Sequence, residues 1–222
     1  MSLNDRPDDA SQEKPTGFGT GHGFRPVVPQ VVSPRAVQTR EEYLAALENG
    51  ERWIEMEEGT FLRQDPPDEM HGNIIRNLTA ALGPSLKSDA KSIPCFELPL
   101  LLEEERLTIR IPAISFYPPA TGFAVMDELM TTEIPVLVVE IASSRLRRDS
   151  MSARVKGYLQ KGVQGVWVID PVTRHVHQFS EGLPPKMIKE TETMHGYPYF
   201  EDLHLLVMDL FADPVWLRSS GS

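Results

Sequence analysis

Residues 133–170 constrain the fold more than any other stretch of the chain. Val136-Leu-Val-Val139 is an unbroken aliphatic run, the pattern of a strand covered on both faces in the middle of a sheet. Val166-Trp-Val-Ile-Asp170 is a second fully apolar run, and between them a helix is expected from about Asp149 to Lys161, ending at Gly162. Strand, helix and strand in this order form a crossover unit and require a mixed α/β sheet around them. At the end of the first run, Glu140 stands where Val or Ile would be expected. A buried carboxylate must be paired, protonated, metal-bound, or placed where a strand end opens into a cleft. Directly after it, Ser143-Ser-Arg-Leu-Arg-Arg148 carries the densest positive charge in the sequence.

Composition narrows the classes of function. The 222 residues, 41% hydrophobic and 24% charged, suit one soluble domain with a tail. No apolar run is long enough for a membrane span, and the N-terminus lacks a signal-peptide layout. The single cysteine, Cys95, excludes an internal disulfide and a cysteine zinc site, suits a reducing cytoplasm, and reads as a small buried hydrophobe. A net charge of −10 argues against a broad nucleic-acid-binding surface. Locally the balance reverses. Between 145 and 161, Arg145, Arg147, Arg148, Arg154, Lys156 and Lys161 face one acid, Asp149. A solvated helix face and a phosphate-facing surface both fit that pattern.

Three regions follow from the rest. Residues 1–35 are rich in Gly, Pro, Asp and Ser and read as a flexible arm, 36–215 as the folded domain, and 216–222 as a polar tail. Thr39-Arg-Glu-Glu42 is a capping box opening a helix that stops at Asn49-Gly50. Trp53 to Glu57 alternates, with Ile54 and Met56 on one face and Glu55 on the other, and Glu58-Gly59 turns the chain into Thr60–Arg63. On residue pattern alone, Glu55 reads as a solvent-facing acid. Asp68 caps a helix in which His71, Ile74, Ile75, Leu78 and Leu82 form one stripe, with an end expected at Gly83-Pro84. Residues 93–102 read as one apolar strand interrupted by prolines, and 107–117 as another. Asp170 before Pro171 reads as a turn residue, 173–179 as a hairpin strand, and 187–208 as two or so shorter strands. His175, His177 and His204 fall on expected strands without metal-ligand partners nearby in sequence, and read as surface residues.

Taken together, these pieces resemble the Uma-two family of restriction-endonuclease-like proteins, a branch of the PD-(D/E)xK nuclease fold. The resemblance runs from about Thr39 to Pro214. Glu55-Met-Glu-Glu-Gly59 is similar to the family's Glu-Leu-Val-Asp-Gly hairpin, and His71 sits where the family opens its first long helix with a histidine. Val138-Val-Glu-Ile-Ala-Ser-Ser144 is similar to its Val-Glu-Val-Leu-Ser-Pro-Ser strand end. The most specific match is Tyr158-Leu-Gln-Lys-Gly-Val-Gln-Gly-Val-Trp-Val-Ile-Asp-Pro171. Asp209-Leu-Phe211 matches the usual ending. The resemblance implies a restriction-endonuclease-like mixed sheet flanked by helices, with an added N-terminal helix and β-hairpin.

The chemistry it implies is Mg²⁺- or Mn²⁺-assisted phosphodiester hydrolysis, with carboxylates holding the metal and a lysine positioning the nucleophile. By resemblance, Glu55 and Glu140 are the metal ligands, and Glu55, His71, Glu140 and Arg154 occupy the catalytic positions. Arg145, Arg147, Arg148 and Lys156 are the phosphate-binding candidates. Two departures cut against catalysis. The family's Pro-Asp reads Pro112-Ala113, and its helical lysine, four residues before the tyrosine, reads Arg154. Alanine offers no ligand, and arginine stays protonated and cannot act as a base. The expected cofactor is therefore a weakly held Mg²⁺ or none. The expected function is a catalytically impaired nuclease-fold protein retained for DNA binding or regulation. The alternatives are an active Mg²⁺-dependent endonuclease and a structural or interaction domain without nucleic acid. Family members often look like homodimers, and nothing in these residues fixes the oligomeric state.

Overall fold

The structure, a computed structural model, describes residues 37–89 and 92–214. The arm over 1–35 and the tail over 216–222 lie outside the described residues. Helix α1 (Arg40–Glu48) starts at the expected capping box. The Thr39 hydroxyl accepts from the Glu42 amide at 3.2 Å, and the Glu42 carboxylate accepts from the Thr39 amide at 2.8 Å. Losing one such cap costs about 1 kcal/mol. Thr39→Ala should therefore lower the unfolding free energy by that amount, read as a lower urea midpoint at an unchanged slope.

Strands β1 (Ile54–Glu57) and β2 (Thr60–Arg63) form the expected hairpin. Gly59 in its turn has φ +69°, and a Cβ there would meet the Val37 side chain at 2.2 Å, so the turn requires glycine. Helix α2 (Glu69–Asp89) runs past the expected stop at Gly83-Pro84. The ring of Pro84 costs one hydrogen bond, and Gly83 before it has no Cβ to clash with the ring.

The run 93–102 is two strands in different sheets, not one: β3 (Ile93–Phe96) and β4 (Leu100–Glu103). The run 107–117 divides likewise into β5 (Thr108–Arg110) and β6 (Ile114–Tyr117). Pro99 and Pro112, lacking a donor for the ladder, lie at the two changes of sheet. Strand β7 (Leu137–Ile141) leads into α3 (Arg145–Lys161), which starts four residues before the expected Asp149. The Ser144 hydroxyl caps it by accepting from the Arg147 amide at 3.2 Å. Then follow β8 (Gly165–Asp170), β9 (His175–Ser180), β10 (Lys186–Ile188), β11 (Thr193–Gly196), β12 (Phe200–Leu206) and the short α4 (Val207–Leu210). Residues 187–208 thus hold three strands.

The central sheet has the order β10-β9-β8-β7-β6-β3, with β7 and β8 parallel and its other pairs antiparallel. The crossover unit read from 135–170 is therefore its middle. A second sheet, β2-β1-β5-β4, is antiparallel, and β11-β12 is a separate hairpin. On one face of the central sheet, Val139, Ile141, Trp167 and Ile169 pack with Ile74, Leu78 and Leu82 of α2 and with β12. On the other, Val138, Val166 and Val168 pack with Val155 and Tyr158 of α3 and with Leu100 of β4. Strand alternation therefore puts Glu140 on the α3 face. In β1, Ile54 and Met56 pack on α1, which turns Glu55 the opposite way. Among the described residues, no helix is long and apolar enough to cross a membrane.

Candidate functional site

Glu55 and Glu140 come from different sheets and meet at α3. Both are fully buried, as is Arg154 between them. Glu55 is therefore not the solvent-facing acid that its hairpin position suggests: β1 is an inner strand, and the α3 side of its sheet is closed. Helix α3 presents Arg147, Arg154 and Tyr158 on one face, because spacings of seven and four residues bring side chains to the same side. All three are buried.

The Arg154 guanidinium bridges the two acids. Its Nη1 donates to Glu55 Oε2 at 2.6 Å and its Nη2 to Glu55 Oε1 at 2.7 Å, a bidentate pair. Its Nε donates to Glu140 Oε1 at 2.9 Å, and Nη2 lies 2.8 Å from the same oxygen. Glu55 also accepts from the Ile111 amide at 2.8 Å, from Gln64 Nε2 at 3.1 Å and from Arg110 Nη1 at 3.3 Å. Glu140 Oε1 further accepts from the Tyr158 hydroxyl at 2.5 Å, while Arg147 Nη1 stands 3.5 Å from Oε2, an ion pair without hydrogen-bond geometry. Arg110 continues outward, with Nη2 at 3.1 Å from the half-exposed Glu57.

Protonation follows from this packing. Burial pushes the Glu55 carboxyl up, but the Arg154 charge, its hydrogen bonds, the Ile111 amide and Arg110 outweigh burial and hold it below the usual carboxylate range. Burial disfavours the Arg154 charge, yet Glu140 and Glu55 hold it protonated well above its ordinary value. Burial and the neighbouring Glu140 keep the Tyr158 phenol protonated.

A divalent cation of the Mg²⁺ class requires about six oxygens in octahedral array, several of them water. Here the acid oxygens face guanidinium, amide and phenol donors, and Ala113 brings no ligand and packs in the α2-side cluster. The acids already have cationic partners, Glu55, Glu57 and Glu140 against Arg110, Arg147 and Arg154. Among the described residues, no group of three or more His, Cys, Asp or Glu could hold a metal ion. The residues do not fit the metal that the resemblance implies. Ser115, two residues along the strand from Ala113, is buried, and a hydroxyl is a poor ligand for a hard dication.

His71 borders this cluster. Its backbone amide donates to Asp68 Oδ1 at 2.8 Å, its Nδ1 lies 3.3 Å from Ser143 Oγ, and its Nε2 is 3.9 Å from Glu97 Oε1. Burial, aided by the Arg147 charge, pushes the imidazole down to about 4. In the unfolded chain it titrates near 6.5, so between those values only the unfolded state takes up the proton. Stability should fall by about 3 kcal/mol as pH drops from 6.5 to 4. His71→Gln should flatten that slope in urea midpoints measured against pH.

The phosphate-binding candidates separate. Arg145 is exposed and 3.6 Å from Asp149, whereas Arg147 is turned inward to Glu140. Arg148 is half-buried and donates to the Ala142 carbonyl at 3.0 Å. With the exposed Lys156 it lines a groove of about 630 Å³ between α3, β8 and β9, floored by Val155, Val168 and Phe179. Sequence spacing did not point to Gln64, Arg110 or the Ile111 amide as partners of Glu55. Only the pairing of β1 with β5 brings 110–111 beside it.

A family model described as "putative restriction endonuclease", Uma2, matches residues 40–208. No curated protein matches the chain. Among solved structures, the crystal structure of a protein titled a "putative nuclease belonging to DUF820", from Anabaena variabilis, is similar. It has a TM-score of 0.60 at 18% sequence identity, covering 71% of this chain and 89% of that one. At that identity the likeness speaks to the fold, and it agrees with the mixed α/β sheet described above.

Proposed function

We propose that this chain, which belongs to the Uma-two family, is a nuclease-fold protein that binds nucleic acid without cutting it. The observation that carries the reading is the Arg154 guanidinium, hydrogen-bonded to both Glu55 and Glu140 with all three side chains fully buried. Phosphodiester hydrolysis in such a fold needs an activated water beside a phosphate. Neither can reach carboxylates that are enclosed and ion-paired with an internal cation. The acids keep their positions and serve packing. The binding part of the reading is supported by the family and by the exposed cations Arg145 and Lys156 on α3.

Purified protein should leave plasmid DNA intact in Mg²⁺ or Mn²⁺. It should retard DNA in a shift assay that fades with salt, because phosphate contacts release counterions. Arg145→Glu with Lys156→Glu should weaken that retardation at least tenfold. Metal-dependent cleavage that disappears in Glu140→Gln would sink the non-catalytic part. Retardation unaffected by salt and by both charge reversals would sink the binding part.

A further inference from the structure

The histidines of the C-terminal hairpin share no residue with the site above. Strands β11 and β12 pair antiparallel with His195 directly opposite His204, and both side chains are exposed. Their rings meet edge to face with centroids 4.8 Å apart, and the two Nδ1 atoms are separated by 2.7 Å. At that distance one nitrogen donates a proton and the other accepts it, since two lone pairs or two N–H groups would repel.

The same spacing suits a metal ion in place of the shared proton. Imidazole nitrogens sit about 2.0–2.1 Å from a late transition metal, so two in adjacent positions stand about 2.9–3.4 Å apart. The pair needs to open by only a few tenths of an ångström. The strands beneath it are firmly set. Met194 and Gly196 flank His195, Leu203 and Leu205 flank His204, and all four are buried. A Cβ on Gly196 would meet the Phe200 carbonyl at 2.5 Å, so the two strands approach closely there. The neighbouring His175 and His177 make a contrast. They lie on one strand with ring centroids 6.4 Å apart and are not opposed across a ladder.

We propose that His195 and His204 form a surface site for a divalent transition-metal ion, Cu²⁺, Ni²⁺ or Zn²⁺, with water in the remaining positions. On binding, the donor ring changes tautomer, its Nδ1 proton passing through solvent to its own Nε2 with no net release, and each Nδ1 then donates one lone pair to the metal. Imidazole selects these ions over Mg²⁺, which prefers oxygen. Among the described residues no third side chain of ligand type joins the pair. The site is therefore open and exchangeable, unlike a closed four-ligand structural centre.

The test is a titration of the whole protein with Ni²⁺, followed by calorimetry and by melting temperature. Saturable binding with a rising melting temperature is expected in the wild type. His195→Gln and His204→Gln should each weaken binding at least tenfold, and His177→Gln should leave it unchanged. Both hairpin positions are exposed, so metal-free melting should stay close to wild type. As a second readout on the unmutated protein, the electron paramagnetic resonance spectrum of one added Cu²⁺ should show coupling to two nitrogens. Unchanged Ni²⁺ binding in both hairpin variants, or coupling to fewer than two nitrogens, would overturn the proposal.

Discussion

Arg154→Leu is expected to lower the unfolding free energy by about 3–5 kcal/mol, the cost of leaving a buried ionic partner uncompensated. Two carboxylates, both fully buried, would lose the guanidinium that supplies three hydrogen bonds to them. Arg110 and Arg147 remain, but at 3.3 and 3.5 Å they offer weaker geometry. Arg154→Lys should recover part of the loss, since an ammonium keeps the charge but lacks the planar fork that engages both Glu55 oxygens. Urea unfolding of the three proteins measures this. A loss under about 1 kcal/mol for Arg154→Leu would mean that the cluster is hydrated and open.

Glu140→Ala should also cost about 3–5 kcal/mol, and as a loss of stability rather than of chemistry. It removes the acceptor of Tyr158 and Arg154 and the charge facing Arg147. Because Glu140 and Arg154 satisfy one another, the double variant with Arg154→Leu should lose less than the two single losses added together. A coupling of about 0.5–3 kcal/mol is expected for residues in one network. Strict additivity, read from the same unfolding curves, would show that the two side chains do not act together. Glu140→Ala, the obvious inactivating change in a nuclease, is for the same reason a poor probe of activity here. Glu140→Gln preserves the shape.

The cluster also bears on how this interior tolerates two buried acids. Two acids in a closed interior are costly to keep ionised without a positive partner. Arg154 supplies one from within the chain, on the helix that follows the Glu140 strand. Ala113 takes no part in this pairing, since it packs in the cluster on the α2 face while Arg154 joins Glu55 and Glu140 on the α3 face.

Much of this was legible in order along the chain. The apolar runs 136–139 and 166–169 pointed to the parallel pair at the centre of the sheet, since a strand covered on both faces is apolar throughout. Thr39 and Glu42 marked the first helix, and Asp170 marked a turn, where its Oδ1 accepts from the Val172 amide at 2.8 Å. The division of 93–102 and 107–117 between two sheets was not legible. A proline break in an apolar run looks the same whether the chain continues in one sheet or crosses to another. The burial of Glu55 was hidden for a related reason. Alternation says which residues share a face, and only the packing of α3 against that face says whether it meets water.

What the sequence alone determined is the crossover unit, the identities at 55, 140 and 154, and the absence of a carboxylate at 113, because these depend on residue type and local period. What only the tertiary structure decided is that Arg154 reaches both acids and that His195 faces His204. The first depends on helix placement between segments far apart in sequence and the second on the register of a hairpin with a shift at His195 and Gly196, neither of which local patterns encode.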